Sequence, residues 1–106
     1  MTQILLVLTT VATQADAQVL ARSMVEQRLA ACAHIEAIDS VYRWQGAVQQ
    51  EGEWRLLLKT TAARYPALEA ALCAQHPYEL PAIVAVPCAY ALPAFADWVA
   101  TEVAPT

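Results

Sequence analysis

Glycine is nearly absent from this chain: Gly46 and Gly52 are the only two in 106 residues. A glycine-rich loop or backbone nest that cradles phosphate is therefore unavailable. Neither Gly-x-Ser-x-Gly nor His-Glu-x-x-His occurs, which removes the hydrolase nucleophile elbow and the metalloprotease helix. An acylphosphatase-like enzyme would need an arginine in a phosphate-cradling loop, and none stands out. Two histidines, His34 and His76, leave little scope for acid–base chemistry centred on imidazole. Charge is also scarce, at 15% of residues against about 25% in ordinary domains. The net charge is −4 and the six basic residues are scattered. That excludes the basic footprint of a nucleic-acid partner and the basic patch of an anionic-membrane partner. No run of about 18 apolar residues is long enough to span a membrane. The first residues show no charged n-region and no cleavage signal. Three widely spaced cysteines, with no Cys-x-x-Cys, fit a reduced, cytoplasmic setting better than a disulfide framework.

What the chain has in excess is apolar residues, at 58%. A length of 106 residues implies one domain, 1–106, with a modest core. Such a domain has too few polar residues to cover its own surface. With a spanning helix excluded, the surplus predicts an oligomer that buries a second apolar face.

The pattern along the chain is organised around a two-stranded ribbon from about Ile35 to Thr61. Aromatic and β-branched residues are dense in both arms, which favours strand. In the second arm Trp54, Leu56, Leu58 and Thr60 share one face, and Glu53, Arg55, Leu57, Lys59 and Thr61 the other. The hairpin turn is expected at Gln50-Glu51-Gly52 with a bulge at Gln45-Gly46. The reverse assignment is the alternative. Before the ribbon come a strand, Gln3 to Leu8, and an amphipathic helix from about Thr13 to Ala31, with Thr13 and Asp16 as a capping pair. After it, Tyr65-Pro66 opens a second helix that stops before His76. Ile83 to Val86 reads as a short strand between prolines, and Pro93 opens a last helix. The order β-α-β-β-α-β-α predicts an α+β domain, a ferredoxin-like split β-α-β sandwich with an extra C-terminal helix. Both early helices are expected on one sheet face, leaving the other face for neighbouring subunits.

His76-Pro77-Tyr78-Glu79-Leu80-Pro81 is the densest group of chemical side chains. Imidazole, phenol and carboxylate lie within four residues between two prolines, as a rigid binding site requires. The competing reading is a stiff loop with His76 ending the helix. Cys32 and His34, two apart on one strand, point the same way and are a weak soft-metal pair for copper or zinc. The plainer alternative is a buried thiol beside a surface histidine. Lys59 is an anion-binding candidate or a solvated lysine. Tyr42, Trp44, Trp54 and Tyr78 form either an aromatic pocket or, more commonly, core and interface anchors.

These motifs are similar as a set to the CutA family, the divalent-cation tolerance proteins. The stretches that carry the resemblance are Val7-Leu8-Thr9-Thr10, Leu29-Ala30-Ala31-Cys32, Ser40-Val41-Tyr42-x-Trp44-x-Gly46, Glu53, Lys59-Thr60-Thr61, His76-Pro77-Tyr78-Glu79-x-Pro81 and Trp98. They run in order over nearly the whole chain. The sequence departs from the family pattern at Ala82, where glutamate is common, and at His34, where asparagine is common. The resemblance implies a tight homotrimer built through the long strands. It also implies a cytoplasmic role in the response to metal ions such as copper. The function expected is non-catalytic metal binding, with no required cofactor and a divalent cation, copper ahead of zinc, as ligand. Its candidate ligands are Cys32, His76, Glu79 and His34. The alternative is a regulatory trimer in the manner of PII-like proteins, binding a small ligand in intersubunit clefts lined by His76, Tyr78, Glu79 and Lys59.

Overall fold

The computed structural model describes residues 2–105. Its elements are β1 (Ile4–Val11), α1 (Gln14–Glu26), β2 (Cys32–Trp44), β3 (Ala47–Thr61), α2 (Tyr65–Gln75), β4 (Ile83–Pro87) and α3 (Pro93–Glu102). The strands form one antiparallel sheet in the order β2-β3-β1-β4. This is an α+β fold with three helices.

Thr13 caps α1: its hydroxyl accepts from the Asp16 N–H at 3.1 Å, as the capping pair predicts. The far end differs from expectation. α1 stops at Glu26 rather than near Ala31, because Arg28 takes a left-handed conformation, φ 60°. The Arg28 and Leu29 N–H groups then bond back to the carbonyls of Val25 and Met24 at 3.0 and 2.9 Å. That is a Schellman ending, and Leu29 and Met24 meet in the core. Glycine usually fills such a position. Arginine is used here because its side chain does something glycine cannot. Its Nε and Nη2 donate to the Ala104 and Thr101 carbonyls, at 3.2 and 2.8 Å, placing a cation at the end of α3.

The ribbon turns at Gln45-Gly46, not at Gln50-Glu51-Gly52. Trp44 and Ala47 are its last pair, and both residues between them have positive φ, 51° and 81°. This is the two-residue hairpin whose twist matches that of the strands. Gly52 lies within β3, opposite Asp39. The arms are β2, Cys32–Trp44, and β3, Ala47–Thr61.

β3 alternates as its sequence predicts. Leu56, Leu58 and Thr60 are fully buried on the face that carries α1 and α2. They pack with Val7, Val11, Leu20, Met24, Leu68 and Leu72. The Thr60 hydroxyl is satisfied in that core by donating to the Leu29 carbonyl at 2.7 Å. On the opposite face the register lines up Leu6, Leu8, Leu57, Val84 and Val86. That face is covered only at one end. There Val99 of α3 and Val103 at its C-cap pack with Ile4, and the Lys59 ammonium lies 5.8 Å from the centre of the Phe95 ring. Beyond α3 the sheet stays open, with Val84 56% exposed.

The two glycines are predicted to respond oppositely to alanine. Gly46→Ala forces a side chain into the left-handed region and should lower stability by about 1 kcal/mol. At Gly52 a Cβ meets only the Ile38 carbonyl, at 3.9 Å. Gly52→Ala should therefore be neutral or stabilising. Urea unfolding midpoints at one protein concentration check both.

Candidate functional site

The connection from α2 to β4 begins at His76, where the next residue, Pro77, cannot continue the helix. His76 turns to an extended backbone, ψ 134°, while its N–H still closes the helix on Leu72 at 2.8 Å. This places the imidazole inward, 9% exposed, against β1. Nδ1 accepts from the Tyr78 N–H at 3.1 Å, and Nε2 lies 3.0 Å from the Thr9 hydroxyl oxygen. The His76 and Tyr78 rings lie tilted at 52° with centres 5.1 Å apart.

Tyr78 carries the connection round the end of β1. That strand stops at Val11, opposite Trp54, so Glu53 is the first β3 residue beyond it. The Tyr78 hydroxyl donates to Glu53 Oε2 at 2.6 Å, covering a carboxylate that is 7% exposed. Two residues further out, Tyr42 donates to Glu51. The register sets Ile38 opposite Glu53 and Ser40 opposite Glu51, so both tyrosine–carboxylate pairs share the open sheet face.

The environment tunes these groups in a consistent direction. Burial holds His76 below its ordinary 6.5, while the Thr10 backbone and the Asp16 carboxylate pull weakly the other way. Burial, and then the Glu53 acceptor, push the Tyr78 phenol up. Tyr42 is pushed up to about 12, first by its bond to Glu51. At neutral pH the site therefore holds a neutral imidazole and neutral phenols beside glutamates.

The structure brings together some of the predicted residues and separates others. His76 and Tyr78 stand together, with Glu79 exposed just beyond. Cys32 and His34 do share one face, opposite Lys59 and Leu57, but on the outer strand β2. Thr9, which meets His76, lies on the helix-bearing face of β1, with β3 between it and β2. Among the described residues, no three His, Cys, Asp or Glu side chains gather closely enough to hold a metal ion. Tyr42 and Trp44 lie on the open face of the ribbon, and Trp54 on the other, half-buried against the core. The four aromatics thus do not form one pocket.

The sequence reading did not find Thr9 as a partner of His76, nor Glu53 as a partner of Tyr78. A cavity of about 590 Å³ lies elsewhere, between Gln3, Thr61, Arg64 and Val103. A hollow of about 130 Å³ flanks Pro77, between Asp16 and Gln75.

The neutral His76 makes stability depend on pH. Its folded value lies below the unfolded 6.5, so in between the unfolded chain binds a proton that the folded chain refuses. Its contribution is complete above about 6.5 and is lost as pH falls below it. Thermal unfolding scans at pH 7.5 and 5.5 should show a fall in Tm that is smaller in His76→Gln.

Comparison with known proteins follows the same outline. The family described as CutA1 divalent ion tolerance protein matches residues 5–102. The divalent-cation tolerance protein CutA of Thermus thermophilus is 44% identical over 93 residues, covering 87% of this chain and 90% of that one. The solved CutA of Synechococcus elongatus superposes with a TM-score of 0.93 at 41% identity, covering 96% of this chain and 91% of its own. The same protein solved in complex with a Bis-Tris molecule gives 0.89 at 39% identity, covering 96% and 95%. A match across nearly the whole chain, in sequence and in fold, means that this chain belongs to the CutA1 divalent ion tolerance protein family.

Proposed function

We propose that this chain forms a cytoplasmic homotrimer of ferredoxin-like subunits that binds a divalent cation, copper ahead of zinc, in a non-catalytic response to metal ions. The element order and the strand order β2-β3-β1-β4 support the ferredoxin-like reading. The open sheet face, with Leu6, Leu8, Leu57, Val84 and Val86, supports burial against further copies.

The observation that carries the cation reading is His76, a histidine held neutral inside a family whose relatives are named for divalent-cation tolerance. A neutral imidazole is the form that ligates copper and zinc. Glu79 offers an exposed carboxylate three residues on. The donor set within one chain is partial, since no three ligand-type side chains converge among the described residues. The site proposed here is therefore completed between subunits. Cys32 and His34, at the edge of the face that assembly would bury, are the donors proposed for the second subunit. A bound cation would supply positive charge beside the carboxylates. The chain's own residues would position it, with His76 in its neutral form.

A second reading has its own support, the Synechococcus elongatus relative solved with a Bis-Tris molecule. In that reading a small polar ligand sits in a cleft between subunits, lined by His76, Tyr78, Glu79 and Lys59.

Calorimetric titration separates the two. Copper(II), and copper(I) under reducing conditions, should bind at a fixed ratio per subunit, with that binding lost in His76→Ala. Weak binding indifferent to the substitution would end the cation reading. A rise in Tm with Bis-Tris or a nucleotide, without metal, would then support the cleft. Assembly is tested at Trp44, an aromatic 37% exposed on the open ribbon face. Trp44→Ala should weaken the trimer by at least 1–2 kcal/mol, read as dissociation on dilution in the ultracentrifuge.

A further inference from the structure

The end of β3 away from the ribbon holds a cation that no carboxylate answers. Arg64 closes the short turn after β3 and is the residue from which α2 starts. Its Nη2 donates to the Arg28 carbonyl at 3.2 Å, while its Nε is buried with no hydrogen-bond partner. Among the described residues this Nε is the one buried side-chain polar atom left so. The ion pairs among those residues join Arg22 to Glu26 and Arg55 to Glu36, so no carboxylate there reaches Arg64. Buried donors in folded proteins are almost always satisfied, and an orphan calls for an acceptor from outside the chain. The same side chain lines the cavity of about 590 Å³. Small-molecule sites are commonly about 300–1,000 Å³, mostly apolar, with a few placed polar groups. Here Ala62, Ala100, Val103 and Pro105 form apolar wall. Their polar neighbours are engaged. The Gln3 amide donates to the Ile4 and Cys88 carbonyls at 3.1 and 2.9 Å, and the Thr61 hydroxyl accepts from the Arg64 N–H at 3.3 Å. The guanidinium is the group with donors to spare. The start of α2 adds to the same sign, with no side-chain cap and no acidic residue in its first turn.

We propose that this cavity binds a monocarboxylate with a short apolar body, its carboxylate on the Arg64 fork and its chain against Ala100, Val103 and Pro105. The site is independent of the cation reading and uses none of its residues. A guanidinium offers parallel N–H donors that match the two oxygens of a carboxylate, and such paired, charge-assisted bonds are strong. Arg64 is tethered by a single bond of 3.2 Å, at the long end of the usual range. A small turn of the guanidinium out of the wall brings Nε and Nη2 to one carboxylate, which supplies the acceptor that Nε lacks. Inorganic phosphate would answer the charge and leave the apolar wall wet. An alcohol of the same length would cover the wall and leave the charge unanswered.

The test is ¹H–¹⁵N NMR on the full chain, titrated in turn with hexanoate, hexanol and inorganic phosphate. Hexanoate at millimolar concentration should shift the amides of Ala62, Ala63 and Val103 saturably, together with the Arg64 Nε–H. Arg64→Met should weaken hexanoate binding about tenfold or more. Arg64→Lys keeps the charge without the fork and should recover only part of that loss. Ala104→Phe, at an exposed position on the cavity rim, narrows the space with Arg64 intact and should weaken binding as well. Hexanol binding as tightly as hexanoate would overturn the proposal, as would Arg64→Met binding hexanoate like the wild type. Phosphate binding as tightly as hexanoate would overturn the monocarboxylate class. The absence of any saturable shift with hexanoate would overturn the site.

Discussion

A strand paired on both sides cannot slide, and β3 is held between β1 and β2 from Trp54 to Lys59. A slip of one residue would turn Leu56, Leu58 and Thr60 to the open face and bring Arg55, Leu57 and Lys59 under the helices. The buried carboxylate at Glu53 depends on the same register. It lies one residue past the end of β1, which is why a tyrosine from the α2–β4 connection can reach round and cover it. Core, open face and site therefore share one constraint, the pairing of Val11 with Trp54 and of Trp54 with Ala37.

Much of this was legible in the sequence because it is local. Alternation within one strand, a threonine three residues before an aspartate, and prolines at the starts of helices act over a few residues. The errors have physical causes of equal clarity. Two glycines in one stretch look alike on paper, but only Gly46 has positive φ, and Gln45 beside it shares that conformation. The end of α1 was overrun because the residue that ends it is an arginine. Its reason for being left-handed, the carbonyls of α3, lies more than seventy residues away in the chain. The candidate site divides along the same line. His76-Pro77-Tyr78 announces itself within three residues. Thr9 and Glu53 are far from it in sequence and become its neighbours only through the sheet.

The site is built of neutral donors set against carboxylates. Tyr78 on Glu53 and Tyr42 on Glu51 each give a carboxylate a hydrogen bond without neutralising it. The nearest ion pair on this face, Arg55 with Glu36, uses the guanidinium two residues along the same strand. The open face thus runs from aliphatic residues beside α3, through one ion pair, to glutamates and aromatics on the ribbon. Such a gradient distinguishes the two ends of the face, and an assembly that buries it must respect its direction.

The reach of the ribbon has a consequence for how the protein folds. Residues 38–44 and 47–53 continue past the end of β1 as a bare two-stranded hairpin, and the molecule measures 44 by 26 by 21 Å. Isolated hairpins are marginal in water. In a lone copy the far ribbon would open and close while the helix-backed half stayed shut, two cooperative units rather than one. In the proposed assembly the same hairpin would become interior, and its order would then be supplied by mass action. Maturation of the outer ribbon would in that assembly be a second-order event in protein concentration or higher, even though every residue of it belongs to one chain.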